Sequence, residues 1–454
     1  MCVAAALAVV ALSACRSRSP DVIVVLVDTL RADHVGAYGG PPGLTPFLDS
    51  FAASGVTFTN AYSTSTFTNT VVASLFTSRY PSQHHVASWD SQLGTDELTL
   101  ATVLGRAGYR SYGFVANLVL APALGFGRGF DSWFAFARYD VKQSADEVNA
   151  DALRFYDQQV LARPWSRWTR RPLFLYLHYM EPHAPYDPPE SARRAWVPAP
   201  PAGVSEAEAI DKLMHSERWD ELSDDEGTYL AALYRAEVAS IDASLASLFQ
   251  QLQRRGLLDH AIVVVTADHG EEFREHGSLT HGSSLFEEVV RVPLIISGPG
   301  LPTHRVVTDP VSIVDVAPTV LDLLGLPPEP RFEGRSLREA LAGGDPPDIF
   351  MELLSPSTTG DLRRHAAGLL HGTLKVLEPP YPDQGDRRPK AYDLKEDPHE
   401  MRPDPPAIAQ EATALEARLA QRRDELATRA GAVTQPAQLD DATRTRLRAL
   451  GYAQ

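Results

Sequence analysis

The side chains best suited to chemistry lie close together in segment 268–281. The histidine and acidic residues of this segment include Asp268, His269, Glu271, Glu272, His276 and His281. So many of them within fourteen residues, separated by glycines, suit neither a packed core nor a solvated face. An aspartate next to a histidine at a strand end, with Asp28 brought in from another strand, could hold a metal through oxygen and nitrogen. Such a metal would be a Lewis acid toward an anionic ester and would lower the pKa of an attacking hydroxyl.

The nucleophile of such a site has to be a hydroxyl. Both cysteines, Cys2 and Cys15, lie in the first fifteen residues, which excludes a thiol from the rest of the chain. Segment 63–70 carries six serine and threonine hydroxyls, and segment 71–77 after it has the pattern of a helix. N-capping explains one hydroxyl at a helix start but not six. Free amides there favour a bound anion, and a hydroxyl beside a metal would be both positioned and activated.

Two other polar clusters also follow predicted strands. One runs from Asp28 to His34, although Asp28 taken alone is more typical of a helix N-cap. The other is segment 178–186, whose prolines predict an irregular loop that leaves His183 able to point into a cleft. A single loop histidine is weak evidence by itself. Ligands of open α/β sheets bind at the carboxyl ends of strands, however, and three clusters meet that condition.

The elements that must position these clusters are buried strands alternating with helices. Continuous apolar runs predict strands that are covered on both faces: Val22–Val27, Leu173–Leu177, Ala261–Thr266 and Val292–Ser297. Apolar residues at three- and four-residue spacing predict helices between them: Thr45–Ser54, Glu97–Ala107, Thr228–Arg255 and Asp315–Leu324. The alternation predicts a doubly wound, mostly parallel α/β sheet flanked by helices.

The sequence pattern changes near Asp345. Short strand-like pieces follow, at Ala367–Leu370, Leu374–Leu377 and Tyr392–Leu394, and they predict a small C-terminal antiparallel sheet subdomain. Segment Ile408–Ala427 predicts a surface helix. The expected organisation is a catalytic domain over residues 21–343, a subdomain over 344–404 and a helical tail over 405–454.

Composition limits the partners. The 454 residues carry 42 basic and 58 acidic side chains, a net charge of -16, which repels nucleic acid at long range. We expect no nucleic-acid partner. With 44% hydrophobic residues, the chain has ample material for a large core.

The first fifteen residues have the features of an export signal. Val3–Ala14 is an apolar run too short to anchor a chain across a bilayer, and it ends in Leu12–Cys15. This end resembles the lipobox of bacterial lipoprotein signal peptides, which implies lipidation of Cys15 and a location in the bacterial cell envelope, with contact to the membrane only through that lipid. Plain secretion and a buried N-terminal strand are the alternatives.

Several segments together resemble the sulfatase family of the alkaline phosphatase superfamily. They occur in the family's order: Val27–Gly36, Thr45–Asp49, Ala73–Pro81, Thr266–Glu271, Arg291–Ile295, and the C-terminal Tyr392–Leu394 with Asp397–Glu400. The resemblance implies a large α/β domain with a small C-terminal sheet, one divalent metal, and hydrolysis of sulfate or related esters on a small-molecule or glycan substrate.

The same resemblance implies roles for single residues. Asp28, Asp268 and His269 correspond to metal ligands, and His183 to a histidine that binds the ester oxygens. His281 stands where the family has a basic group near the leaving oxygen, and Asn117 lies near another substrate-contacting position.

The chain departs from the family at the nucleophile. Aligned on Thr77–Arg79, the modified cysteine or serine falls on Thr68, with Thr70 for the proline and Val72 for the arginine. Formylglycine is made from cysteine or serine, so none is expected here. Threonine alkoxides act on phosphorus in phosphoethanolamine transferases of the superfamily, which makes Thr68 a plausible nucleophile and metal ligand.

The chain also departs at the metal. Thr29 replaces the second aspartate of the usual pair, and His269 stands where an asparagine is common. Fewer hard oxygen ligands favour zinc or manganese, while calcium remains an alternative.

Three functions fit these residues. The first is a metal-dependent hydrolase of sulfate, phosphate or phosphonate esters that uses Thr68. The second is a catalytically silent lipoprotein that binds an anionic envelope glycan, for which Val72 is the best support. The third is a phosphoryl-headgroup transferase, although such enzymes usually carry transmembrane helices.

Overall fold

The computed structural model describes residues 19–135, 142–161, 171–356, 362–378 and 388–431, together with single positions between 437 and 445. The signal segment 1–15, Cys15 and most of the tail beyond 431 lie outside the described residues. No helix in the described ranges is long and apolar enough to cross a membrane.

A nine-stranded sheet forms the centre of the large α/β domain. Its strands are β1 (Asp21–Val27), β2 (Val56–Tyr62), β3 (Arg110–Val115), β4 (Ser132–Ala135), β5 (Leu173–Tyr179), β6 (Ala261–Ala267), β9 (Arg291–Ser297), β10 (Arg305–Val307) and β11 (Val311–Ser312). The order is β10-β2-β9-β6-β1-β5-β3-β4, and β11 also pairs with β2. A two-stranded ribbon, β7 (Glu272–Phe273) with β8 (Leu279–Thr280), lies in the loop after β6.

The predicted α/β class is confirmed, since β1 pairs in parallel with both β5 and β6, and β3 pairs in parallel with β4 and β5. All seven residues of β1 are buried, as are those of β5 and β6, so the apolar runs in the sequence correspond to strands covered on both faces. Strand β9 differs because it runs antiparallel to both β2 and β6.

Helices cover both faces of this sheet. They are α1 (Pro46–Ala53), α2 (Thr68–Thr77), α3 (Pro81–His84), α4 (Leu100–Arg106), α5 (Ala145–Tyr156), α6 (Glu190–Trp196), α7 (Glu206–Met214), α8 (Asp224–Arg254), α9 (Glu287–Val290), α10 (Val316–Leu323) and α11 (Arg338–Ala342). Ser223 caps α8 in a capping box with Glu226. The helix therefore begins at Asp224, four residues before the predicted start at Thr228. Every residue of α2 is buried, so this helix lies inside the domain.

The C-terminal sheet is antiparallel, as predicted. It contains β12 (Ile349–Pro356), β13 (Leu362–His371), β14 (Leu374–Leu377) and β15 (Lys390–Asp393), in that order. Helix α12 (Ala409–Thr428) packs on it through Leu415 and Leu419, within one apolar cluster with Phe350.

A buried lysine joins this sheet to the large α/β domain. Lys375 of β14 has no exposed side-chain area, and its Nζ lies 3.0 Å from Oε1 of Glu287 in α9 and 2.9 Å from Oε1 of Glu400. The backbone N–H of Glu352 also donates to the carbonyl of Thr64 at 2.9 Å. The small sheet is therefore bonded to the segment that leads into α2.

Candidate active site

Asp28 follows β1 at the carboxyl edge of the sheet, where its side chain is fully buried. Its Oδ2 accepts a hydrogen bond at 2.8 Å from Nδ2 of Asn117, which follows β3. Burial raises the pKa of Asp28, and the charge of Asp268 raises it further. A carboxylate placed in this way is stabilised by a cation beside it.

Asp268 follows β6, the strand on one side of β1. Its Oδ1 accepts the backbone N–H of Thr29 at 3.1 Å and that of His269 at 2.8 Å. Its Oδ2 is buried and has no hydrogen-bond partner within the described residues. The backbone bonds therefore fix the carboxylate and leave one oxygen for a ligand.

Thr68 is the first residue of α2 and is 2% exposed. Its Oγ1 lies 3.4 Å from Nε2 of His269 and 3.5 Å from Oδ1 of Asp28. The structure thus brings the predicted nucleophile to the predicted metal ligands. The amides of the first turn of α2 start at the same point, which suits a bound anion.

Two of the neighbouring hydroxyls are hydrogen-bonded away from this site. Thr64 Oγ1 donates to Ser74 Oγ at 2.9 Å, and Ser63 Oγ donates to the Ser65 carbonyl at 2.7 Å. Thr70 Oγ1 is buried without a hydrogen-bond partner in the described part of the chain.

The rings of His183 and His281 lie near that of His269. The His281 ring centroid lies 4.3 Å from that of His269 and 5.0 Å from that of His183. Nδ1 of His183 lies 2.5 Å from the Ala184 carbonyl, so it carries the proton and donates it there. Burial, with His281 adding to it, lowers the pKa of His183 to about 3. Burial likewise lowers the pKa of His281.

Glu271 orients His281, a role that the sequence did not predict. Its Oε1 lies 2.8 Å from Nδ1 of His281, and its Oε2 accepts the Tyr186 hydroxyl at 3.1 Å. Burial raises the pKa of Glu271 to about 7. Because Nδ1 of His281 is engaged with this carboxylate, Nε2 is the nitrogen of His281 that can act on a substrate.

His178 is the second residue that the sequence did not assign. It lies in β5 with its ring fully buried, and its Nε2 is 3.8 Å from Oδ2 of Asp28. Ligand atoms of Asp28, His178 and Asp268 lie within 4.8 Å of one another, an arrangement that could hold a metal ion. The register of β1 against β5, which pairs Leu26 with His178, places this ring beside Asp28. That register cannot be read from a single strand.

His276 lies apart from this group, although it is close to it in sequence. Its ring stacks on Phe286 at 3.6 Å, and its Nε2 is 3.5 Å from Oε2 of Glu288. His276 belongs to the contact with the C-terminal subdomain, where Glu400 lies nearby.

The donor set fits a divalent metal. Buried polar atoms without partners cost free energy, and Asp268 Oδ2 and both ring nitrogens of His178 are such atoms within the described residues. Carboxylate oxygens together with imidazole nitrogens are ligands of first-row metals.

Comparisons with known proteins identify the family of this chain. The sequence model of the family described as Sulfatase matches residues 20–326. Arylsulfatase K of Bos taurus is 26% identical over 355 residues, which cover 70% of this chain and 65% of that protein. The uncharacterized sulfatase YidJ of Escherichia coli is 25% identical over 371 residues, 74% of this chain and 73% of that protein. The chain thus spans somewhat less than two thirds of the bovine relative.

Solved structures share the fold. BT4656 in complex with its substrate D-glucosamine-2-N,6-O-disulfate superposes with a TM-score of 0.73 at 19% identity, covering 93% of this chain and 100% of that one. The phosphonate monoester hydrolase of Agrobacterium radiobacter superposes with a TM-score of 0.68 at 22% identity, covering 90% and 95%. With the family match extending over more than half of its length, the chain belongs to the sulfatase family, whose members are metal-dependent ester hydrolases.

Proposed function

We propose that this protein is a metal-dependent hydrolase that cleaves a phosphoester or phosphonate ester through Thr68. The observation that carries the proposal is the position of Thr68 Oγ1, 3.4 Å from Nε2 of His269 and 3.5 Å from Oδ1 of Asp28. A divalent metal, with zinc or manganese favoured over calcium, would be held by Asp28, Asp268, His269 and Thr68 and would supply Lewis-acid stabilisation of the ester oxygens.

The reaction has two displacements. In the first, Thr68 Oγ1 bonds to phosphorus, the bond to the leaving oxygen breaks, and the threonine proton passes to Asp28 Oδ1, 3.5 Å away. The leaving oxygen takes a proton from Nε2 of His281, while Nδ1 of this ring takes up the proton of Glu271, a carboxyl whose pKa burial raises to about 7. In the second, water attacks phosphorus and returns one proton to His281 and Glu271, the bond to Thr68 breaks, and the proton on Asp28 returns to Thr68 Oγ1. The neutral His183 lies beside His281 and borders the same space.

The nucleophile favours phosphorus over sulfur. A formylglycine hydrate can expel sulfate by collapsing to the aldehyde, whereas a threonine adduct has no second hydroxyl and must be displaced by water. Sulfate esters nevertheless remain substrates of the family to which the chain belongs, and a sulfated glycan is the substrate of BT4656.

The charge near the site favours an ester with one negative charge. Two nearby cations are already paired: Lys142 Nζ contacts Glu237 and the His183 carbonyl, and Arg31 pairs with Asp33 and Glu275. The buried Val72 lies at the position of the family's arginine. A phosphodiester or phosphonate monoester therefore suits the site better than a doubly charged phosphate monoester, and a similar fold carries phosphonate monoester hydrolysis in Agrobacterium radiobacter.

A second candidate is a catalytically silent protein that binds an anionic envelope glycan. The replacement of the arginine by Val72 favours it. The clustering of Thr68, His183, Asp268, His269 and His281 favours the enzyme, because binding alone does not require a nucleophile next to a metal site.

We also propose that the protein is attached to the bacterial cell envelope through a lipid on Cys15. The support is the apolar run that ends in Leu12–Cys15, which suits a signal peptidase better than a spanning helix.

Replacement of Thr68 tests the proposed enzyme. We expect Thr68→Ala to abolish turnover of aryl phosphodiesters and aryl phosphonate monoesters, and Thr68→Ser to retain part of it, because serine keeps the attacking oxygen. Thr70→Ala is the matched control, since Thr70 is a buried threonine two residues away, and it should keep wild-type rates.

Aryl phosphate and aryl sulfate monoesters complete the substrate panel. Equal activity of Thr68→Ala and the wild type, or turnover confined to sulfate, would refute the threonine mechanism. Absence of turnover on every ester, with an aryl ester or sulfated sugar still bound, would support the silent binding protein.

A further inference from the structure

The ring of His178 lacks any hydrogen-bond partner for either nitrogen within the described residues, although it is fully buried. Buried polar groups that are left unpaired destabilise the fold. A direct bond to Asp28 does not relieve this, because Nε2 stays 3.8 Å from Oδ2. Something else has to occupy the space between the imidazole and the carboxylates.

A second buried polar group without a partner in the described part of the chain lies shortly after the neighbouring strand, β1. Thr29 stands at the position of the second aspartate in the family's metal pair, and its Oγ1 is also buried without a partner in the described part of the chain. Its backbone N–H bonds to Asp268 Oδ1, and its φ is 56°. A β-branched residue is strained in this left-handed conformation, whereas aspartate adopts it more readily. The backbone thus still has the conformation that an aspartate would accept.

We propose that His178 is the metal ligand that replaces the carboxylate lost at Thr29. The inference rests on the metal-dependent function proposed above. The ligand set becomes Asp28, His178 and Asp268, with His269 and the Thr68 hydroxyl on the other side. The two carboxylates balance the charge of a divalent ion, and the two imidazoles bind it as neutral ligands.

The exchange of an oxygen ligand for a nitrogen ligand changes which metal is bound. Calcium takes six to eight oxygen ligands, whereas imidazole suits zinc and its neighbours in the first transition row. The site therefore selects zinc or a similar ion against calcium, through a residue outside the family's usual ligand set.

The test measures metal binding directly, in the full-length protein stripped with a chelator. Titration with Co²⁺ should give one ion per chain with visible d–d absorption, and zinc should displace it. His178→Gln should weaken Co²⁺ and Zn²⁺ binding at least tenfold and change the absorption spectrum. His84→Gln is the matched control, because His84 is equally buried but lies outside the site, and it should bind as the wild type does.

A double variant tests whether His178 replaces the ligand that is lost at Thr29. Thr29→Asp combined with His178→Gln should recover metal binding and shift the preference toward calcium, since it restores an oxygen ligand. If His178→Gln fails to fold, X-ray absorption of the zinc-loaded wild type decides instead, with two imidazole ligands expected.

Two outcomes would overturn the inference: wild-type cobalt affinity and spectrum in a folded His178→Gln, or a single imidazole on zinc in the wild type. Both leave the proposed ester hydrolysis standing. A wild-type protein that binds none of these ions would contradict this inference and the metal-dependent function together.

Discussion

His84, the last residue of α3, forms hydrogen bonds through both of its ring nitrogens. Nδ1 accepts the backbone N–H of Val86 at 3.1 Å, so the proton resides on Nε2, which donates to Ser74 Oγ at 3.0 Å. Ser74 Oγ also accepts from Thr64. Burial, with the charge of Arg79 adding to it, lowers the pKa of His84 well below its usual value. The folded protein therefore requires this imidazole to be neutral.

This residue predicts a pH dependence of stability. Below pH 6.5 the unfolded chain binds a proton at His84 that the folded chain does not, so the free energy of unfolding should fall with decreasing pH, by up to about 1.4 kcal/mol per unit. His84→Gln can keep both hydrogen bonds and should remove this part of the slope. Urea denaturation from pH 8 to pH 5 measures it, with the exposed His304→Gln as control. An unchanged slope in His84→Gln would contradict the prediction.

At the same scale, the sequence predicts those site residues that stand directly after buried strands. Asp28, Asp268 and His269 belong to short polar segments that end apolar runs, and the alignment of segment 73–81 selects Thr68. The sequence places His178 at the start of the loop segment 178–186 and gives it no role, whereas it is part of β5. Its partner depends on the pairing of β5 with β1, which is a contact across 150 residues.

Between elements, the contact of β14 with α9 depends on one buried ion cluster. Lys375 pairs with both Glu287 and Glu400, and burial raises the pKa of Glu400 to about 7 even beside this lysine. Removal of the Lys375 ammonium would take away the positive charge that these two buried acidic groups share.

We expect Lys375→Met to destabilise the protein by about 3–5 kcal/mol, because an uncompensated buried charge is costly. The exposed Lys395→Met should change stability by less than about 0.5 kcal/mol. Chemical denaturation measures both. Since Glu400, with its raised pKa, takes up a proton below about pH 7, the loss should be smaller at pH 5 than at pH 8. Equal stability of Lys375→Met and the wild type would show that the cluster contributes nothing.

The sequence predicts correctly those strands and helices whose buried residues form an uninterrupted apolar pattern. The runs of β1, β5 and β6 are apolar on both faces, and α8 repeats its apolar residues over 31 positions. Strand β2 has the mixed segment Val56–Tyr62, with polar Thr59 and Asn60 in it, and it was not predicted. The direction of β9 also could not be predicted, because an apolar run has the same pattern whichever way it pairs.

For the whole molecule, the proposed lipidation of Cys15 predicts where the protein is found. We expect the wild type to incorporate a palmitate analogue and to sediment with membranes, and Cys15→Ser to be released, because the remaining apolar run is too short to anchor it. Cys2→Ser is the matched control and should behave as the wild type does. A wild-type protein without label, or a Cys15→Ser protein that stays in the membrane fraction, would exclude the lipid anchor.

The position of β1 has a consequence for synthesis. This strand is made first among the described strands, yet its two neighbours, β5 and β6, begin at residues 173 and 261. At about 5–20 residues per second, the ribosome needs roughly 7–30 s to reach β5 after completing β1. During that interval the apolar run Val22–Val27 has no sheet to join. The growing chain therefore presents a binding segment for chaperones, and a message truncated before residue 268 cannot yield a protein that binds the metal.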